Sequence, residues 1–168
     1  MSVIVYDNST RKNGWAVFDN LGLLQHCGLV DCTKLAKMKL SLRINTIAEQ
    51  VFSATREYYD WSLVNKTVVI GELPISGVNA GGALKQAMML GALMNIVVTW
   101  GILEHSIPDF HVVNNQHWKK VACGKGNIGK PEYLAMAREL YPEFEIKTDD
   151  VAAAILMGKA YFMGCEYD

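Results

Sequence analysis

The chain is poor in cysteine and carries almost no net charge. Its four cysteines, Cys27, Cys32, Cys123 and Cys165, form no CxxC pair. That argues against a structural zinc or a thioredoxin-type redox site and for a reduced, intracellular protein. A net charge of −1 over 168 residues provides no overall basic field for nucleic acid and no acidic tail for a basic partner. The N-terminus, MSVIVYDNST, lacks the basic and long apolar regions of a signal peptide, so a cytoplasmic location is expected. Long hydrophobic runs are missing too. Residues 88–103 (MMLGALMNIVVTWGIL) fall short of the roughly 20 needed to cross a bilayer, and Asn95 interrupts them. No membrane association is expected.

What is present reads as a single globular domain over residues 1–168. Hydrophobic residues make up 51% and charged residues 20%, enough for a core and too apolar for disorder. Short runs of β-formers at 3–6, 15–18 and 21–30, separated by the turn signals Asn13-Gly14 and Asn20 to Gly22, predict an antiparallel three-stranded meander. Helical spacing of Leu40, Ile44, Ile47, Val51 and Tyr58 predicts a helix over 35–59. A buried strand at 67–72, an apolar helix at 83–103 and a strand at 110–114 follow. Helices at 131–140 and 149–162 close the chain. This order gives a mixed α/β sheet, three antiparallel strands followed by parallel ones, with helices on both faces.

Three carboxylate positions stand out. Asp7 follows the first strand, Glu72 ends the fourth, and Asp149 and Asp150 open the last helix. In such sheets, strand-end side chains converge on one edge. Carboxylates gathered there repel one another and call for a hard cation, Mg²⁺ or Mn²⁺ rather than zinc. Each residue also has a plainer role: Asp7 as a turn former, Asp149 as a helix N-cap and Asp150 as a partner of the helix dipole. Spacing alone does not choose between these readings.

Four blocks, taken in order, carry a resemblance. YDNSTRKNGWAVFD, VVIGELPISGVNAGGALKQAMMLGALMNIV, WKKVACGKGNIGK and TDDVAAAILMGKAYF resemble the successive motifs of RuvC-type Holliday junction resolvases, over nearly the whole chain. The short length and loose similarity point toward the bacteriophage branch. The resemblance implies an RNase H-like fold, a homodimer and Mg²⁺-dependent resolution of four-way and other branched DNA by paired nicks. Two cations per active site are implied, with Mn²⁺ able to substitute. Asp7, Glu72 and Asp150 then take the place of metal ligands, with Asp149 as an additional candidate. Lys119 takes the place of a DNA-holding lysine and Lys130 that of a catalytic lysine near the scissile phosphate. Lys120 and Lys125 are DNA-binding candidates beside them, in a glycine-rich run whose backbone can approach phosphates, and Arg11, just after Asp7, is a candidate addition to the same face. GKGNIGK lacks the Gly-Lys-Ser/Thr ending of a P-loop, so no nucleotide cofactor is expected.

Two positions depart from the family pattern. Ala153 stands where the family places its last Asp. Three explanations compete: an inactivating Asp-to-Ala change, replacement by Asp149 in a shifted register, or a natural protein that binds junctions without efficient cleavage. The first is favoured, because Ala is the usual inactivating replacement and everything else in the motif is kept. Ile75 stands where bacterial members place an aromatic wedge, and an apolar wedge remains compatible with it. A non-catalytic junction binder, or another RNase H-like nuclease acting on branched DNA or RNA–DNA hybrids, is the alternative function. The 83–103 helix, apolar around most of its circumference, predicts a two-fold dimer interface.

Overall fold

The computed structural model describes residues 1–62, 66–74 and 80–167. Five strands form one sheet in the order β3-β2-β1-β4-β5. β1 (Val3–Asp7), β2 (Lys12–Phe18) and β3 (Leu24–Asp31) make the antiparallel meander. β4 (Val68–Glu72) and β5 (Asp109–Val113) add in parallel beside β1. The mixed sheet expected from the chain order is therefore present, and β4 is buried along its full length.

Alternation along the strands divides the core in two. Ile4, Tyr6, Val17 and Val69 face α1 (Leu40–Thr55) and α2 (Ala80–Leu103). Val3, Val5, Ala16, Phe18, Val68 and Ile70 face α3 (Asn115–Cys123), α4 (Lys130–Leu140) and α5 (Asp149–Phe162). Helices therefore cover both faces, as the period-2 pattern of buried strands requires.

α5 is the central helix of the second face. Ile155, Leu156 and Met157 are fully buried, each contributing about 1.5–3 kcal/mol by burial. The helix lies unusually close to β2, and two glycines permit this. A Cβ on Gly14 would stand 2.0 Å from the Asp150 carbonyl oxygen, and one on Gly158 would stand 2.1 Å from the Phe18 ring. Ala152, Ala153 and Ala154 on the same helix are all buried.

Several expectations need correction. Asn13-Gly14 is not a turn: both residues lie inside β2, paired with Val30 and Leu29. The connection runs instead through residues 8–11, where the Asn13 side chain accepts the Ser9 N–H. Gly14 is explained by close approach of α5 rather than by turn geometry. The first half of the Lys/Gly-rich stretch is helical. Asn114 caps α3 by accepting the Gln116 N–H at 2.9 Å, and Gly124, at φ 77°, ends it. The 35–59 helix is shorter, with 3₁₀ turns at Thr33–Lys37 and Arg56–Tyr58 on either side of α1. α2 has 24 residues. Among the described residues it is long and apolar enough to cross a membrane, so the argument from short length fails. It is nevertheless packed on one side, with Met89, Leu93 and Val97 buried against the sheet and α1.

Candidate active site

Backbone pairing sets Asp7 beside Glu72. Tyr6 pairs with Gly71 in the parallel β1–β4 ladder. One residue further on, both strands turn a carboxylate to the α5 face. Asn8 extends the pairing with its side chain. Its Oδ1 accepts the Glu72 N–H at 2.9 Å, and its Nδ2 donates to the Glu72 carbonyl at 3.3 Å. This amide stands in for one more rung of the ladder and fixes the backbone at Glu72.

Asp150 arrives from α5. Thr148, not Asp149, is the N-cap: its hydroxyl accepts the Val151 N–H at 3.3 Å. Asp149 and Asp150 therefore occupy the first helical turn, where the dipole favours negative charge. Gly14, paired with Asp7, lets the Asp150 backbone settle over β2.

The carboxylates of this edge act on one another. Burial, then the Glu72 and Asp150 carboxylates, hold the Asp7 carboxyl well above the usual range, with Lys130 acting in the opposite direction. Burial and then Asp149 raise Asp150. Asp149 differs. Burial would raise it, but the Lys130 ammonium, 2.5 Å away, holds it below the usual range. The same hydrogen bond raises Lys130. Burial, followed by the four carboxylates, pushes the Tyr133 hydroxyl upward.

Glu72 is held by groups that sequence reasoning did not assign to the site. Its Oε1 accepts from Trp118 Nε1 at 2.8 Å and from Asn115 Nδ2 at 2.5 Å. Trp118 is fully buried, as expected of a core residue, but its N–H reaches the carboxylate. Tyr133 packs edge-on against it. Asn8, Asn115, Trp118 and Tyr133 had one available signal: the three-residue spacing of Asn115 and Trp118, visible only once 115–123 is read as a helix.

As placed, no three Asp, Glu, His or Cys among the described residues enclose a common point closely enough to hold an ion. The fit to a hard divalent cation is one of charge and donor type. Asp7 has no side-chain hydrogen bond among the described residues, and the negative charges of Glu72, Asp150 and Asp149 act on it. Ala153, 4% exposed, lies in the apolar packing of α5 and adds no donor.

The cationic candidates separate. Lys119 lies beside the Trp118 and Tyr133 rings, 5.4 and 5.3 Å from their centroids. It lines a hollow of about 550 Å³ with Leu73, Asn115 and Asn127. Arg11 lines a second hollow, about 500 Å³, with Lys12, Lys130, Lys147, Asp149 and Asp150. Lys120 and Lys125 are exposed. Lys147 is a cation the sequence reading missed. Ile75 lies outside the described residues.

No family model matches the chain, and no curated protein does. Solved structures do. Thermus thermophilus RuvC in complex with a Holliday junction substrate is 19% identical, with a TM-score of 0.66 over 95% of this chain and 92% of that one. The fowlpox virus resolvase, solved with substrate Holliday junction DNA, is 16% identical, with a TM-score of 0.55 over 96% and 97%. The yeast mitochondrial Holliday junction resolvase Ydc2 is 12% identical, with a TM-score of 0.56 over 96% and 78%. The chain thus has the mixed α/β fold of RuvC and other Holliday junction resolvases.

Proposed function

We propose that this chain is a structure-specific DNA endonuclease of RuvC type that resolves four-way and other branched junctions, in a form weakened at Ala153. The observation that carries this reading is the convergence of Asp7, Glu72 and Asp150 at one sheet edge, between two hollows lined by Lys119 and by Arg11, Lys12 and Lys147. The shared fold supports a junction substrate. The short chain and loose similarity support a bacteriophage branch acting in the host cytoplasm.

Asp7, Glu72 and Asp150 would hold Mg²⁺ or Mn²⁺, two per site when fully loaded. When bound, such ions supply Lewis acidity and a nucleophile at neutral pH for phosphodiester hydrolysis. The chain's own residues do the rest. Lys119 on one side, and Arg11 with Lys12 on the other, neutralise the phosphates flanking the cut and fix the strand's path. Lys130, oriented by Asp149, lies beside the carboxylates and stabilises charge developing on the phosphate in the transition state. Hydrolysis is direct, with no covalent enzyme intermediate.

Paired nicks on a two-fold substrate call for two copies of the site. Leu84, Met88 and Ile102 share a stripe of α2 opposite its buried residues and are exposed. Covering that stripe with a second copy makes the homodimer we propose.

The test is cleavage of a labelled four-way junction with Mg²⁺ by this chain and by Ala153→Asp. Symmetric cutting gained by the Asp variant supports a resolvase in an inactivated form. Tight junction binding with no cutting by either favours the second reading, a non-catalytic junction binder, which the apolar packing of Ala153 keeps in play. Preference for RNA–DNA hybrids over junctions would indicate a different RNase H-like nuclease.

A further inference from the structure

Glu72 is held at both ends, and by different elements. Asn8 on the β1–β2 connection pins its backbone. Two donors from one turn of α3, Asn115 Nδ2 and Trp118 Nε1, converge on a single oxygen, Oε1. A carboxylate oxygen has about two lone-pair sites, so these two bonds saturate Oε1. Oε2 has no hydrogen bond among the described residues.

The elements that carry the two donors are themselves fixed. The Trp118 indole is fully buried and meets the Tyr133 ring at 75°, with centroids 5.8 Å apart. A buried indole N–H requires an acceptor, and Glu72 is the acceptor it has. Asn115 is the first residue of α3, whose opening turn is fixed by the Asn114 cap. Asn115 and Trp118, three residues apart, lie on one side of that turn.

We propose, on the reading of Asp7, Glu72 and Asp150 as cation ligands, that Trp118 and Asn115 are positioning residues that occupy Oε1 of Glu72 and leave Oε2 as the oxygen that would be open to a cation. A carboxylate without this bracket could rotate and chelate through both oxygens, or turn away from Asp7. With it, the carboxylate plane is set before a cation arrives. Groups that orient a ligand in this way typically affect metal affinity by about 10–100-fold when removed.

The experiment measures Mn²⁺ affinity by calorimetry on the full chain, on Asn115→Ala and on Trp118→Phe, which keeps the ring and deletes the N–H. Indole ¹⁵N–¹H spectra are recorded in parallel. Trp118→Phe assigns one of the four tryptophan resonances. The expected result is a 10–100-fold weaker Kd for both variants, with melting showing them folded. In the native chain the Trp118 indole signal stays hydrogen-bonded and shifts on adding Mg²⁺, while Trp15, Trp61 and Trp100 stay still. Should Trp118→Phe fail to fold, Asn115→Ala, at a partly exposed position, carries the test. Unchanged or tighter Mn²⁺ binding by the variants overturns the bracket while leaving the metal site intact. A native chain that binds neither ion removes the metal reading, and the bracket with it.

Discussion

Gly14→Ala is the substitution whose effect follows most directly from geometry. Its new Cβ would lie 2.0 Å from the Asp150 carbonyl oxygen, 2.2 Å from the Asp150 carbonyl carbon and 2.6 Å from the Val151 nitrogen. All three are backbone atoms, so no rotamer change relieves the clash. Reaching ordinary contact at 3.4 Å from 2.0 Å requires the N-terminus of α5 to retreat by about 1.4 Å. Overpacking of this kind costs about 1–3 kcal/mol. For a domain of this size each kcal/mol lowers Tm by about 2–4 °C, giving a drop of about 2–12 °C. The same retreat carries Asp150 away from Asp7, and a misplacement of about 1 Å costs catalysis about 100-fold. The assay is a thermal melt paired with Mn²⁺ calorimetry and, in the Ala153→Asp background, junction cleavage. A Gly14→Ala chain that melts with the parent and binds Mn²⁺ equally well would refute the close approach of α5 as the device that builds the site.

Two further outcomes follow from the electrostatics and the exposed helix. Asp7 has a folded-state pKa above its unfolded value of about 3.9, so the folded chain prefers the protonated carboxyl. Its ionisation therefore removes stability as pH rises from about 4 through the folded-state value. In EDTA, Asp7→Asn should melt above the native chain at neutral pH, with the advantage shrinking toward pH 4; a pH-independent difference would contradict this. Leu84→Glu/Met88→Glu, at positions 62% and 38% exposed, should convert a dimer to a monomer by analytical ultracentrifugation while leaving fold stability within about 0.5 kcal/mol. A native chain already monomeric at micromolar concentration sinks the proposed interface.

The strands, their order along the chain and the placement of carboxylates at the ends of elements were legible because each leaves a local mark. β4 is an unbroken apolar run ending in Glu72, and α5 opens on Asp149-Asp150 within an otherwise apolar segment. Gly14 was misread because Asn-Gly is a strong turn signal, and the helix that requires the glycine lies more than a hundred residues away in sequence. Trp118 was illegible as a hydrogen-bond donor to Glu72. Burial follows from residue type, whereas the acceptor comes from a strand 46 residues earlier. Asn8 was hidden in a loop where asparagine usually serves its own turn; here its amide serves the neighbouring strand.

The same long-range contacts bear on Ala153. A register shift that brought Asp149 into the place of the missing carboxylate would rotate α5 about its axis and move it along β2. Thr148 would then lose the Val151 N–H that it caps, and Asp150 would lose its fit over Gly14. Gly158 would no longer meet Phe18, where the separation leaves no room for even a Cβ. Asp149, moreover, is already engaged by Lys130, so recruiting it would strip the lysine of the carboxylate that orients it. Three fixed points along one helix and one ion pair therefore stand against replacement by Asp149. On the proposed reading, the site is then short of one ligand, whether by an inactivating change or by a natural role in holding junctions uncut, and Ala153→Asp is the substitution that separates the two.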